Sequence, residues 1–111
     1  MKILLVCESG MSTSILEQRM KKYVEINNIN VKIKSIAAAK FQDIIDNFNF
    51  DIVLLAPQVR FLKTRLEEII KSKDIPIELI NTIDYGTMNG ENVIKFAINV
   101  ISKYEIKGSL Q

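Results

Sequence analysis

Histidine is absent from this chain, and so is tryptophan; cysteine occurs once, proline twice and glycine four times. Without histidine there is no Cys–His nucleophile pair and no histidine-containing metal site. A lone cysteine forms no internal disulfide and no zinc site, and it fits a reducing cytoplasm. No apolar run approaches the ~18 residues of a membrane span. One sign of charge does not dominate either. Fifteen basic residues face thirteen acidic ones, a net of +2. They are dispersed, whereas a nucleic-acid binder clusters its basic residues on one face. No metal or organic cofactor and no nucleic acid are expected.

What is present suits one compact domain. The 111 residues are 48% hydrophobic, enough for a core and too few for two domains. "KILLVC" (Lys2–Cys7) and "FDIVLLA" (Phe50–Ala56) are continuous apolar runs, as in strands covered on both faces. The first is read as a strand rather than a lipoprotein cleavage box, since the apolar stretch between Lys2 and Cys7 is only Ile3 to Val6. "VKIKSI" (Val31–Ile36) alternates with Lys32 and Lys34, which suits a sheet edge. "IPIELI" (Ile75–Ile80) carries Pro76, which also suits an edge.

Helical spacing fills the intervals. Met11, Ile15, Leu16, Met20, Tyr23 and Val24 mark a first helix, ended by "NNIN" (Asn27–Asn30). Phe41, Ile44, Ile45 and Phe48 mark a second. Val59, Leu62, Leu66, Ile69 and Ile70 mark a third, with Pro57 in its first turn, where a missing N–H costs little. Val93, Phe96, Ala97, Val100, Ile101 and Tyr104 mark the last. The domain is taken as 1–105, with 106–111 a tail that frays from Lys107.

Strand–helix alternation implies an α/β fold with right-handed crossovers and helices on both faces of a parallel sheet. If the two apolar runs are central, the order of the four strands is 2-1-3-4. A ligand then binds where the order reverses, beyond the carboxyl ends of strands one and three. The loops there are "CESGMSTS" (Cys7–Ser14) and "APQVR" (Ala56–Arg60).

The first loop has the makings of an anion cradle. Backbone N–H groups converge where a strand turns into a helix, and the helix dipole favours negative charge. Gly10 permits a close approach, and Ser9, Ser12, Thr13 and Ser14 offer hydroxyls. The same donors favour a thiolate at Cys7 and a phosphate carried on its sulfur. Burial of Cys7 in the core, with Ser12 to Ser14 serving as caps, is the plainer alternative. A Walker loop is excluded, because GxxxxGK[ST] is absent.

The segment resembles the loop of low-molecular-weight tyrosine phosphatases, in which an arginine stands six positions after the cysteine. Here that position is Thr13. The late Asp-Pro that supplies the general acid is missing as well, since Asp84 is followed by Tyr85. The loop is thus suited to accept a phosphoryl group and hold it. An arginine placed at 13 is expected to shorten the life of a phosphocysteine.

The closer resemblance is to the lactose/cellobiose-type IIB components of the bacterial sugar phosphotransferase system. "CESGMSTS" is similar to their Cys-x-x-Gly-Met-Ser-Thr-Ser signature; "LLAPQVRF" (Leu54–Phe61) and "IDYGTMNGENV" (Ile83–Val93) resemble two further segments. The likeness runs from Lys2 to Tyr104.

The resemblance implies a four-stranded parallel sheet with a phosphatase-like phosphate loop after strand one. It implies that Cys7 takes a phosphoryl group from a phosphohistidine of enzyme IIA. Cys7 then passes it to a cellobiose- or chitobiose-like disaccharide held by the membrane enzyme IIC. The phosphate-binding segment would be Glu8, Ser9, Gly10, Met11, Ser12, Thr13 and Ser14. Pro57 and Gln58 would line a neighbouring wall, with Tyr85 and Gly86 at its far side. Glu8 stands where the family commonly has a small uncharged residue, and its side chain is expected to point to solvent.

The chain is expected to be a cytoplasmic monomer that visits the inner face of the membrane. The alternatives are a phosphatase or arsenate reductase-like enzyme, and a non-catalytic IIB-like regulatory domain.

Overall fold

The computed structural model describes residues 1–8 and 11–109, with side chains described for 1–8 and 13–105. Four strands form one parallel sheet: β1 (Lys2–Cys7), β2 (Lys32–Ala37), β3 (Ile52–Leu55) and β4 (Ile77–Leu79). Their order is β2-β1-β3-β4, as the apolar runs predict. Ile3 to Val6 and Ile52 to Leu55 are all fully buried, so both faces of the central strands are covered. Lys32 and Lys34 are exposed on one edge, and Pro76 precedes the other.

The helices are α1 (Met11–Ile26), α2 (Phe41–Asn47), α3 (Lys63–Ile69), α4 (Thr82–Gly86) and α5 (Gly90–Ser109). The crossover from β1 to β2 runs opposite to those from β2 to β3 and from β3 to β4. Right-handed crossovers therefore put α1 on one face and α2 and α3 on the other. α5 packs against α1.

On α1 the buried line is Leu16, Met20 and Val24, one residue every four. Ile15, expected in that stripe, is 48% exposed. It sits about 100° around the helix from Leu16, on the side of Arg19 and Ile26.

The third helix is more broken than its spacing suggests. A 3₁₀ segment, Pro57–Leu62, precedes α3, and Val59 leaves helical geometry within it (φ −112°, ψ 18°). Its N–H bonds the Ala56 carbonyl at 3.0 Å, so the chain turns tightly off β3 before a regular helix begins. At the other end, α5 continues past residue 105 to Ser109, into the segment expected to fray.

Gly90 fixes how closely the two long helices meet. A Cβ there would lie 2.7 Å from both the Arg19 carbonyl carbon and the Met20 nitrogen. Both are backbone atoms, so neither can rotate away. Gly90→Ala should destabilise the protein by roughly 1–3 kcal/mol through overpacking. A urea titration with an unchanged midpoint would mean that the helices separate freely.

Glu17 ties α1 to β2. Its carboxylate accepts from Lys21 Nζ at 2.8 Å and from Ser35 Oγ. Burial raises its pKa, but the hydrogen bonds from Lys21 and Ser35, with the Lys21 charge, outweigh burial and hold it below the ordinary 4.5. A lowered pKa stabilises the fold above that ordinary value and ceases to do so as pH falls through the folded one. Wild type should therefore exceed Glu17→Gln by about 0.5–1 kcal/mol at neutral pH. The gap should close as pH drops below 4.5. Urea midpoints for both proteins across that range check this; a gap independent of pH would refute it.

Candidate functional site

The apolar run that drives β1 through the core ends at Cys7, which is only 3% exposed. In the sheet register it stands opposite Ala37 at the end of β2. Its thiol donates to the Ile36 carbonyl, 3.5 Å away. On its other side, the Ala56 N–H bonds the Val6 carbonyl at 2.9 Å and pins the start of Pro57–Leu62 beside the end of β1. Cys7 thus sits where the strand order reverses. Glu8, Ser9 and Gly10 alone separate it from α1.

The expected phosphate-binding residues divide into three sets. Ser9 and Gly10 lie outside the described residues. Met11 and Ser12 begin α1 as backbone, and their side chains lie outside the description. Glu8, Thr13 and Ser14 are fully described. Glu8 is exposed, in line with the outward side chain expected of it, and Ser14 is exposed on the first turn of α1.

Thr13 differs from both. It is completely buried, and its Oγ1 shares a 3.1 Å hydrogen bond with the Tyr85 hydroxyl. In this structure its hydroxyl is engaged inside the protein rather than offered to solvent.

The neighbouring wall also divides. Pro57 is half-buried and Gln58 exposed, both directly after β3. Tyr85 is 4% exposed and reaches Thr13, so it belongs under the first turn of α1. Gly86 is exposed, and among the described residues no atom outside its own chain neighbours and helix backbone lies within 4 Å of where a Cβ would stand. Local packing therefore does not require a glycine there.

Two features escaped the sequence reading. One is the Ile36 carbonyl as the partner of the thiol; nothing in a sequence marks a backbone acceptor on a neighbouring strand. The other is α4, five residues long, whose signal was present at Asn81. The Asn81 side chain caps it, accepting from the N–H groups of Ile83 at 2.8 Å and Asp84 at 3.1 Å. Among the described residues, no group of three or more His, Cys, Asp or Glu side chains could hold a metal ion. No helix among them is long and apolar enough to cross a membrane.

The sequence profile of the family "PTS system, Lactose/Cellobiose specific IIB subunit" matches residues 2–96. The chain belongs to that family. It is therefore a IIB-type component of a phosphotransferase system, the machinery of coupled sugar transport and phosphorylation.

Among relatives of this IIB chain is the "PTS system oligo-beta-mannoside-specific EIIB component" of Bacillus subtilis (strain 168). That protein is 34% identical over 100 residues, 90% of this chain and 95% of the relative. The "PTS system cellobiose-specific EIIB component" of Lactococcus lactis subsp. lactis is 31% identical over 103 residues, with the same two shares. A solution structure of a cellobiose-specific phosphotransferase IIB component from Borrelia burgdorferi superimposes with a TM-score of 0.75. It is 59% identical, with 94% of each chain covered. The lactose-specific IIB domain of Streptococcus pneumoniae shares the fold, with a TM-score of 0.79 at 20% identity over 89% of this chain and 95% of the other.

Proposed function

We propose that this IIB chain is a phosphoryl carrier, with Cys7 as the atom-bearing relay between two partners. The observation that carries the reading is the position of Cys7. It ends a central strand at the switch point, with three residues between it and the first helix.

In the first step the Cys7 thiolate attacks the phosphorus of a phosphohistidine on IIA. The S–P bond forms and the N–P bond breaks; the electron pair stays on the imidazole nitrogen, which then takes up a proton. In the second step a sugar hydroxyl oxygen, on a disaccharide held by IIC, attacks the same phosphorus and loses its proton. The S–P bond breaks and sulfur leaves as the thiolate. The carrier ends as it began, without metal or organic cofactor.

Backbone N–H groups of the residues after Cys7, through the first turn of α1, would hold the phosphate oxygens. Pro57 and Gln58 would form the wall beside them. A carbonyl oxygen repels an anion, so the sulfur has to turn away from the Ile36 carbonyl once charged or phosphorylated.

The substrate is a disaccharide of the cellobiose or chitobiose kind. The relatives' names, oligo-β-mannoside- and cellobiose-specific, support that class. The chain works in the cytoplasm as a monomer and meets IIC at the inner face of the membrane.

Incubation with each candidate phosphorylated IIA, followed by intact mass measurement and peptide mapping, tests the reading. One phosphoryl adduct at Cys7 is expected, chased off when IIC membranes and disaccharide are added. A protein that instead turns over aryl phosphate, with no stable adduct, would be a phosphatase. An adduct that is never chased would make it a regulatory domain.

A further inference from the structure

We propose that the Thr13–Tyr85 hydrogen bond is a latch that holds the first turn of α1 in the position phosphoryl transfer requires. This rests on the carrier reading of Cys7. Tyr85 is then a positioning residue, and Thr13 serves the site by bonding Tyr85 rather than the phosphate.

The two hydroxyls meet at 3.1 Å from positions 72 residues apart, with Thr13 fully buried. Thr13 is the third residue of α1. Its hydroxyl reaches another helix. That other helix is well anchored. Asn81 caps α4 at its start. Asn92 of α5 donates to Asp84 Oδ1 at 3.0 Å. Arg19, further along α1, donates to the carbonyls of Thr87 at 3.2 Å and Met88 at 3.3 Å just beyond α4. α1 is therefore tied to the α4 region at Arg19 and also in its first turn.

The Thr13 tie acts on that first turn itself. The N–H groups there lack partners within the helix, and they are the groups that would face a phosphate on Cys7. A small shift of this turn misaims them, and misaimed donors cost transfer rate. Thr13 also stands where the phosphatase loop has its arginine. The position that clamps phosphate in that loop faces inward here.

Tyr85→Phe and Thr13→Val each delete one hydroxyl and keep nearly the same shape. Each should slow transfer from phosphorylated IIA to Cys7 about five- to tenfold, leaving the half-saturating IIA concentration unchanged. The double variant should be no slower than the slower single one, because both remove the same bond. Thr13→Ser, which keeps the hydroxyl, should stay within about twofold of wild type.

If Thr13 bound phosphate directly, Thr13→Val would slow transfer and Tyr85→Phe would not. That pattern overturns the latch, as do multiplicative losses in the double variant or a Thr13→Ser variant as slow as Thr13→Val. Amide hydrogen exchange in residues 15–18, the turn whose N–H groups bond back to the carbonyls of residues 11–14, reads the latch without any donor. Faster exchange in both single variants, against unchanged exchange in the core strands, supports it; unchanged exchange in that turn overturns it. A wild-type protein that takes no phosphate at Cys7 defeats the carrier reading, and the exchange measurement still decides the latch.

Discussion

Cys7→Ser should abolish phosphoryl acceptance and leave the fold intact. The reaction needs an anion at the attacking atom, and a serine hydroxyl offers almost none at neutral pH. No histidine exists anywhere in the chain to take its proton. The substitution is gentle on structure. Oxygen is smaller than sulfur, so the buried site is underfilled only slightly. A serine Oγ–H can still donate to the Ile36 carbonyl that the thiol now reaches at 3.5 Å. The acceptor keeps its partner, and thermal stability should change by no more than about 1 kcal/mol. Intact mass after incubation with phosphorylated IIA, beside a melting curve, measures both halves. Phosphorylation of the serine variant at the wild-type rate would take Cys7 out of the mechanism.

The parts of the fold that were legible in the sequence are those decided by burial. Ile3 to Val6 and Ile52 to Leu55 read as central strands because a strand covered on both faces must be apolar at every position. The strand order followed from those two runs. Lys32, Lys34 and Pro76 marked the edges for equally local reasons. The switch point, and Cys7 with it, came from the same reasoning. Family resemblance added Pro57, Gln58, Tyr85 and Gly86, which no periodicity would single out.

What stayed hidden is non-local or too short for a period to show. α4 spans fewer than two helical turns and is set by one asparagine side chain rather than by an apolar stripe. The break at Val59 reflects how the chain leaves β3, not its helical spacing. Ile15 satisfied a helical pattern while facing away from the line that is buried. Tyr85 and Thr13 find each other across 72 positions. Either residue alone reads as an ordinary polar member of a turn, and only the packing of α4 beneath α1 joins them.

That packing changes the expected outcome at position 13. By analogy with the phosphatase loop alone, Thr13→Arg would give a folded protein whose phosphocysteine hydrolyses sooner. Because Thr13 is completely buried against Tyr85, the first effect should fall on stability instead. The guanidinium cannot be neutralised by losing a proton, so it must find a partner or reach water. No partner of opposite charge stands at Thr13 among the described contacts, which give its hydroxyl to Tyr85. Tyr85, itself 4% exposed, loses that bond at the same time. An unpaired buried charge costs about 3–5 kcal/mol, against total stabilities of about 5–15 kcal/mol for domains. Thr13→Val, which deletes only the hydroxyl, should cost about 1 kcal/mol and sets the scale for the lost bond. Urea titrations of wild type and both variants separate the two contributions. Thr13→Arg should unfold at a markedly lower midpoint than Thr13→Val, with slow alkylation of Cys7 in wild type becoming fast as the first turn of α1 loosens. An arginine variant with native stability would mean that position 13 opens readily to solvent. The side chain could then serve as the phosphate clamp that the phosphatase comparison suggests, and a faster decay of its phosphocysteine would follow.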